Sequence, residues 1–390
     1  MKIIIFDGTF RTTAFINRLV EGLVKSHEVY VLGFNEKLTH KINGVHYVKL
    51  GSNSSKIAFI KTALSIALSQ GSIKLLFSTL LNIVKFKRKR IQNQNFNLAV
   101  RKINPDLIHA QWVSNITILE SILSQNKYAV VLSQRGYHIN VRPFIDDQNY
   151  NYLKQWLPKL TGFHSVSKAI SRNGDLIYAS ASKIDHIVHS GLNLSKITFK
   201  DAYKRRERLR LISVGRSHWK KGYCYAIKAC ELLKTRGIDF KYTIIGAGEN
   251  EELIYLREFY NLGDRLELLD ALPQQTVFEA IKKADAMLLP SIEEGIANVA
   301  IEAMALGTLV ISTNCGGMPE LIEHEQEGWV VPVRNPEALV DAVIGFSKCS
   351  DKKLDSMRLK AREKVEKQFT EKNMLKGMEL LYKACLNENN

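Results

Sequence analysis

The feature that most constrains this chain is a repeating pattern in which a short apolar run is closed by turn residues, often with a stretch of helical period before the next run. In the first half the runs are KIIIF (2–6), EVYVLGF (28–34), VHYVKL (45–50), DLIHA (106–110), AVVLS (129–133), GFHSVS (162–167) and DHIVHSG (185–191). Dense charge in SKITFKDAYKRRERLR (195–210) interrupts the pattern, which then resumes with LRLISVGR (209–216), FKYTIIGAG (240–248), RLELLDAL (265–272), DAMLLPS (285–291), TLVISTN (308–314) and GWVVPV (328–333). Near-continuous apolar strands separated by helices build parallel sheets covered on both faces. The length of 390 residues favours two cores over one. The expected fold class is therefore α/β with two doubly wound domains: residues 1–195, a linker at 196–208, residues 209–370, and a closing helix at 371–390 that returns to the first domain. Ligands of such sheets bind outside the carboxyl ends of the strands, so a central cleft between the domains is expected.

Composition narrows the setting. Hydrophobic residues at 45% and charged residues at 24% describe an ordinary globular chain. No apolar run reaches the roughly 18 to 20 residues that span a bilayer, and MKIIIFDGTF enters a strand pattern directly, so neither a leader nor a membrane span is expected. Cys224, Cys230, Cys315, Cys349 and Cys385 form no C-x-x-C pair. Free thiols in a reducing cytoplasm are the simplest reading. Net charge is +16, unevenly placed: residues 1–200 hold 27 Lys and Arg against 10 Asp and Glu, residues 201–390 hold 28 against 29. Between Glu36 and Asp106 there are 13 basic residues and no acidic one. A negatively charged partner, or an anionic membrane surface, faces that half. No nucleic-acid-binding motif accompanies the charge, so nucleic acid is not expected as a partner.

The stretch PSIEEGIANVAIEAMALG (290–307) carries two glutamates at the end of an apolar run. Its Ala, Met, Leu and Glu content favours a helix that Gly307 stops, which puts Glu294 just before the helix and Glu302 about two turns inside. At 1.5 Å per residue the two stand roughly 12 Å apart along the axis. A glycosidase pair needs about 5 to 9.5 Å, so these carboxylates suit different parts of one extended ligand better than a hydrolytic dyad. The amides of Gly295, Ile296, Ala297 and Asn298 at the helix start favour an anion beside them. Glutamates near helix starts also act as ordinary caps. In SVGRSHWKKGYCYAIKA (213–229), Arg216 at a strand end and Lys221 before Gly222 would suit a diphosphate, the first as a fork and the second as a point charge. IIGAGENEEL, with Gly246, lacks a full G-x-G-x-x-G pattern. The paired glycines of STNCGGMPELIEHEQEGWVVP (312–332) permit close backbone approach to a ligand, or make a turn.

In this order, VGR…KKG, IIGAG, the LLPS-E-EG-x-x-N-V-x-x-EAMA-x-G block with its E-x7-E spacing, and GG-x-PE-x-I…G-W-V-V-P resemble the retaining glycosyltransferases of family 4. The resemblance is close over residues 209–335 and is one of layout alone in the first half. It implies the GT-B fold, a nucleoside-diphosphate sugar as donor, and Glu302 on the ribose hydroxyls. It further implies Glu294 on the donor sugar beside the amides of Gly295–Asn298, and Arg216 and Lys221 on the diphosphate, with no metal or other cofactor. Gly8 and Gly246 join the donor-binding candidates. Gly8 stands alone where relatives carry two adjacent glycines. Many relatives place a histidine near the sugar C1; here His109 in HAQ or His138 in RGYHI would serve, although a lone histidine at a strand end is more often structural.

The expectation is a cytoplasmic retaining glycosyltransferase that moves a sugar, from UDP by default, to a glycan or lipid-linked glycan of a surface polysaccharide. A GT-B sugar-nucleotide epimerase, a phosphorylase and a transferase with a soluble acceptor share the layout. SIKLLFSTLLNIVKFKRKR (72–90) is the candidate for peripheral contact with an anionic membrane: Leu76, Phe77, Leu80, Ile83 and Val84 fall on one helical stripe, followed by Lys85, Lys87, Arg88, Lys89 and Arg90. The competing reading is a core helix whose basic end favours its own dipole.

Overall fold

A computed structural model describes residues 1–34, 38, 40–200, 202–204 and 206–387. Each apolar run becomes a parallel strand. In the first unit these are β1 (Lys2–Gly8), β2 (Glu28–Gly33), β3 (His46–Lys49), β4 (Leu107–Ala110), β5 (Ala129–Gln134), β6 (Gly162–Ser165) and β7 (Asp185–Ile187), in the order β3-β2-β1-β4-β5-β6-β7. In the second they are β8 (Leu209–Val214), β9 (Phe240–Ile245), β10 (Leu266–Leu269), β11 (Ala286–Leu289), β12 (Leu309–Thr313) and β13 (Gly328–Val331), ordered β10-β9-β8-β11-β12-β13. Both sheets reverse direction beside their first strand, between β1 and β4 and between β8 and β11.

Strand alternation feeds two cores per sheet. Ile4 and Phe6 of β1 pack with Phe96, Val100, Ile116 and Leu119 on one face, while Ile3 and Ile5 pack with Ile16, Leu19, Val20 and Leu23 on the other. In the second unit Leu211 sits with Ile227, Leu233, Val340 and Phe346, and Ile212 with Val277, Ile281, Ile301 and Met304. Fully buried strands of this kind have no polar face, which is why they read as unbroken apolar runs.

The two units are Met1–Val166, Ile170–Gly191 and the segment from Glu371 on, and Ser167–Ala169 with Leu192–Thr370. Helix Glu371–Asn387 belongs to the first: Met374, Met378, Leu381, Tyr382 and Cys385 are buried with Ile3 and Ile5. It lies so close that a Cβ on Gly162 would stand 2.3 Å from Cys385 Sγ. The charged stretch 196–208, expected as a linker, instead packs on the second unit. Ile197 and Tyr203 are buried there, the Lys200 amide donates to Leu306 O at 2.9 Å, and the Tyr203 amide donates to Asp355 Oδ1 at 2.8 Å. Its apolar residues are few and widely spaced, so the charge between them concealed the packing.

The stretch 72–90 is a helix, Ile73–Val84, a turn at Phe86, and the start of helix Arg88–Ile103. Leu76 and Ile83 are partly buried, with Thr79 fully buried between them, whereas Phe77, Leu80 and Val84 are exposed. The expected stripe is therefore two rows facing opposite ways. Among the described residues no helix is long and apolar enough to cross a membrane.

Candidate active site

The reversal between β8 and β11 is where a doubly wound sheet opens a crevice at its carboxyl edge. After β8 the chain passes through Gly215 and exposed Arg216 to a single 3-10 turn, Trp219–Lys221, and then Gly222 starts helix Tyr223–Thr235. After β11 it runs through Pro290 and Ser291 to Glu293, Glu294 and helix Asn298–Leu306. The two loops are joined by backbone. The Ile292 amide donates to Lys220 O at 2.6 Å, and Gly222, at φ +61°, comes so close that a Cβ would lie 2.1 Å from Pro290 O. Only glycine fits this position, since both the left-handed φ and the contact exclude a side chain.

This docking sets the central pair. Lys221 Nζ donates to Glu294 Oε1 at 2.6 Å, and Ser291 Oγ donates to the same oxygen at 3.0 Å. The side chains of Lys221 and Glu294 are 23% and 15% exposed, shielded enough for a charge-assisted bond to hold both and open enough to meet a ligand. An ammonium carries three donors, so Lys221 can keep Glu294 and still reach a phosphate oxygen. Exposed Arg216 and His218, with half-buried Lys220, extend the positive edge. Desolvation first, then Lys220, Arg216 and Lys221, holds the His218 imidazole below its ordinary pKa.

The paired glycines after β12 turn out to meet protein backbone. A Cβ on Gly316 would stand 1.7 Å from Glu294 O and one on Gly317 2.2 Å from Gly295 O, while the Gly317 amide donates to Gly295 O at 2.8 Å. Thr313 Oγ1 donates to Ser291 O. The Glu294 loop is thus clamped by the β8 loop on one side and the β12 loop on the other.

Helix Asn298–Leu306 starts two residues later than its composition suggests, with Ala297 as N-cap and no side-chain cap. Glu302 is half-buried and lies about one turn in, not two, and the segment from Glu294 to Ala297 is loop, so a helical rise does not measure the separation of the two glutamates. Gly295 and Ala297 are buried, Ile296 and Asn298 half-buried, and the uncapped start leaves the N-terminal end of the helix dipole at this loop. Gly246, at φ +96°, is needed for packing, because a Cβ there would lie 2.7 Å from Gly215 O, and its carbonyl accepts from the Ser217 amide at 3.0 Å.

In the first unit Gly8 ends β1 at φ +89°. His109 is fully buried in β4, with Nδ1 2.7 Å from Tyr382 Oη and Nε2 2.8 Å from Ser133 Oγ. Burial, helped by the Arg135 charge, pulls its pKa down to about 3, so it is a neutral core group and has no open ring nitrogen for a substrate. His138 lies in the short helix Tyr137–Asn140 and lines a hollow of about 350 Å³ with Glu120, Arg142, Asp146 and Tyr152.

Residues 195–364 match the family described as Glycosyl transferases group 1. The matched segment is similar to the group 1 glycosyltransferases and makes up less than half of the chain. The provisionally named colanic acid biosynthesis glycosyltransferase WcaL of Salmonella typhimurium is 38% identical over 188 residues, 46% of each chain. The amylovoran biosynthesis glycosyltransferase AmsK of Erwinia amylovora is 36% identical over 198 residues, 49% of this chain and 48% of that one. The match spans about half the length of these relatives. HepE of Anabaena, solved with UDP-glucose, superposes with a TM-score of 0.73 at 14% identity over 98% of this chain and all of that one, which establishes a common fold, the GT-B architecture.

Within the matched segment, Arg216, Lys221 and Glu294 lie at one sheet edge, after β8 and β11. Sequence reasoning passed over Ser291 and Thr313, ordinary hydroxyl residues marked only by their places at strand ends. In the first unit it passed over Asp7, which accepts from Trp112 Nε1 at the β1–β4 reversal. Burial raises the Asp7 pKa to about 6, against the lowering effects of Trp112 and Arg135. Arg135 reaches Gln111 Oε1 at 3.2 Å. The signal for this cluster was available: a lone acid, an amide and a guanidinium stand at the carboxyl ends of three adjacent strands.

Proposed function

We propose that the chain is a retaining glycosyltransferase that moves a hexose from a nucleoside diphosphate, UDP by default, to a hydroxyl of a lipid-linked glycan during assembly of a surface polysaccharide. The observation that carries this reading is the meeting of Lys221 and Glu294 at the β8–β11 reversal, with Arg216 beside them and an uncapped helix start behind. Departure of a nucleoside diphosphate develops negative charge, and fixed cations and helix-start amides stabilise it without reorganisation. Arg216 and Lys221 hold the diphosphate, Glu294 and the amides of Gly295–Asn298 meet the sugar, and Glu302 accepts from the ribose hydroxyls. Rate comes from positioning and leaving-group stabilisation, with no metal required. Relatives named for colanic acid and amylovoran biosynthesis support the polysaccharide acceptor, and a lipid-borne acceptor would bring the enzyme to the inner face of the membrane. Incubation with a panel of sugar nucleotides and a lipid-linked acceptor, following free nucleotide and the anomeric configuration of the product, tests it. Nucleotide release with no glycosylated product, or an inverted anomer, overturns the reading.

A further inference from the structure

Helix Ile73–Val84 is apolar on its outward as well as its inward face, unlike a surface helix that meets only water. Its inward row holds Thr79, whose hydroxyl donates to Leu75 O at 2.8 Å and accepts from Gln94 Nε2 at 2.7 Å. Its outward row is Ile73, Phe77, Leu80, Leu81 and Val84, spaced i, i+4, i+7, i+8 and i+11 on one face, with Ile73 at 87%, Phe77 at 67% and Val84 at 72% exposure. The preceding helix, Lys56–Leu68, adds exposed Ile57 and Leu68. Such a contiguous apolar face marks an interaction surface.

A second observation points the same way. The helix closes in a Schellman motif: the Phe86 amide donates to Ile83 O at 3.0 Å and the Lys87 amide to Asn82 O at 2.9 Å. The left-handed position in this motif ordinarily holds glycine, yet here it holds Phe86, at φ +52° and 92% exposed. A bulky residue strains the backbone there, and its ring gains nothing from the protein in return. Beneath it, Phe59, Ile60, Ile83, Val84, Phe86 and Ile91 line a largely apolar hollow of about 420 Å³.

We propose that this helix face and the Phe86 turn dock the chain on an anionic lipid bilayer, with the ring and the outward row among the acyl chains and Lys85, Lys87, Lys89 and Arg90 against the headgroups. Charge selects the occupant. The 13 basic residues and absence of acidic ones between Glu36 and Asp106 attract an anionic surface, and they would oppose one another across an interface with a second copy of this chain. A helix of 12 residues is too short to span, so it lies in the interfacial plane. This docking goes beyond the donor-site reading and does not depend on it.

Co-sedimentation with vesicles of phosphatidylcholine alone, and of phosphatidylcholine and phosphatidylglycerol in roughly equal parts, tests the docking. Three proteins are compared: the wild type, Phe77→Ser with Phe86→Ser, and Lys85, Lys87, Lys89 and Arg90 all changed to Gln. Arg88 is left in place because it donates to Asn53 Oδ1 at 3.3 Å and holds the turn. A cooperative thermal unfolding transition by circular dichroism, like that of the wild type, shows that each variant is folded. The expected result is wild-type binding to the anionic vesicles alone, weakened by salt, with each variant's partition lowered about tenfold or more. Wild-type binding that ignores lipid charge, or variants that bind as the wild type does, overturns the proposal. So does a lipid-free dimer that the Phe77 and Phe86 changes dissociate, which would make a second copy the occupant.

Discussion

Lys221 Nζ stands 2.6 Å from Glu294 Oε1, so the cation that follows β8 and the carboxylate that follows β11 hold each other in place where the sheet reverses. Replacing Lys221 with Ala removes the partner of a largely shielded carboxylate as well as the proposed leaving-group contact. Turnover should fall more than affinity for the bare nucleoside does, and Arg216→Ala should show the same split with less effect on stability, since Arg216 is exposed. Steady-state kinetics beside nucleoside titration reads the split. Turnover should also persist in EDTA; a strict requirement for added divalent metal would contradict the cationic clamp.

Glu302→Ala should weaken binding of the sugar nucleotide by about 1.5 to 3 kcal/mol for each charged hydrogen bond lost to the ribose. Calorimetry on the folded variant measures it. Unchanged affinity removes Glu302 from that role.

Gly316→Ala places a Cβ 1.7 Å from Glu294 O, a contact that no rotamer relieves. The loop must move, at a stability cost of about 2 kcal/mol or more, and Glu294 moves with it. Urea unfolding should show the loss, and donor affinity should fall although residue 316 carries no chemistry of its own.

Acid should destabilise the protein. Burial holds His109 at about 3 and His164 well below the ordinary imidazole value, so between that ordinary value near 6.5 and their folded values the unfolded chain binds protons that the native state refuses. Stability is then lost as pH falls below about 6.5, by up to about 1.4 kcal/mol per pH unit for each imidazole. Asp7 opposes this: raised from 3.8 to about 6, it binds its proton better when folded, which costs stability as pH rises from about 4 to 6. Two imidazoles outweigh one carboxyl, and Asp7→Asn should steepen the loss below pH 6. Urea midpoints at pH 7 and pH 5 for both proteins check the sign.

Phe86→Asn separates a structural from a docking role. Asn tolerates the left-handed conformation that costs a bulky residue about 1 kcal/mol, and an almost bare ring forfeits little burial. Thermal stability should hold or rise slightly while partition onto anionic vesicles drops.

The central strands were legible because each is buried on both faces, and a doubly buried strand announces itself as an unbroken apolar run. The grouping of Arg216, Lys221 and Glu294 at the β8–β11 reversal was legible for a related reason: all three follow strand ends, the edge where ligands of doubly wound sheets bind. Other features needed coordinates. Gly316 and Gly317 read equally well as a ligand cradle or a turn, and only the carbonyls of Glu294 and Gly295 show what they accommodate. The start of the helix at Asn298 was shifted by Ile296 and Ala297, good helix residues held in a loop by their neighbours. The two faces of Ile73–Val84 are both apolar, so periodicity could not say which one turns inward. His109 looked like a candidate until Tyr382, 273 positions away, closed over its Nδ1.

That long reach sets an order of events during synthesis. Residues 192–370 form one continuous stretch, so the second unit has everything it needs once they leave the ribosome. The first unit, although its strands emerge earlier, keeps the Ile3 and Ile5 face of its sheet incompletely covered until Met374, Met378, Leu381 and Tyr382 arrive. The half of the chain that is made first therefore cannot complete its core until the last helix has been made.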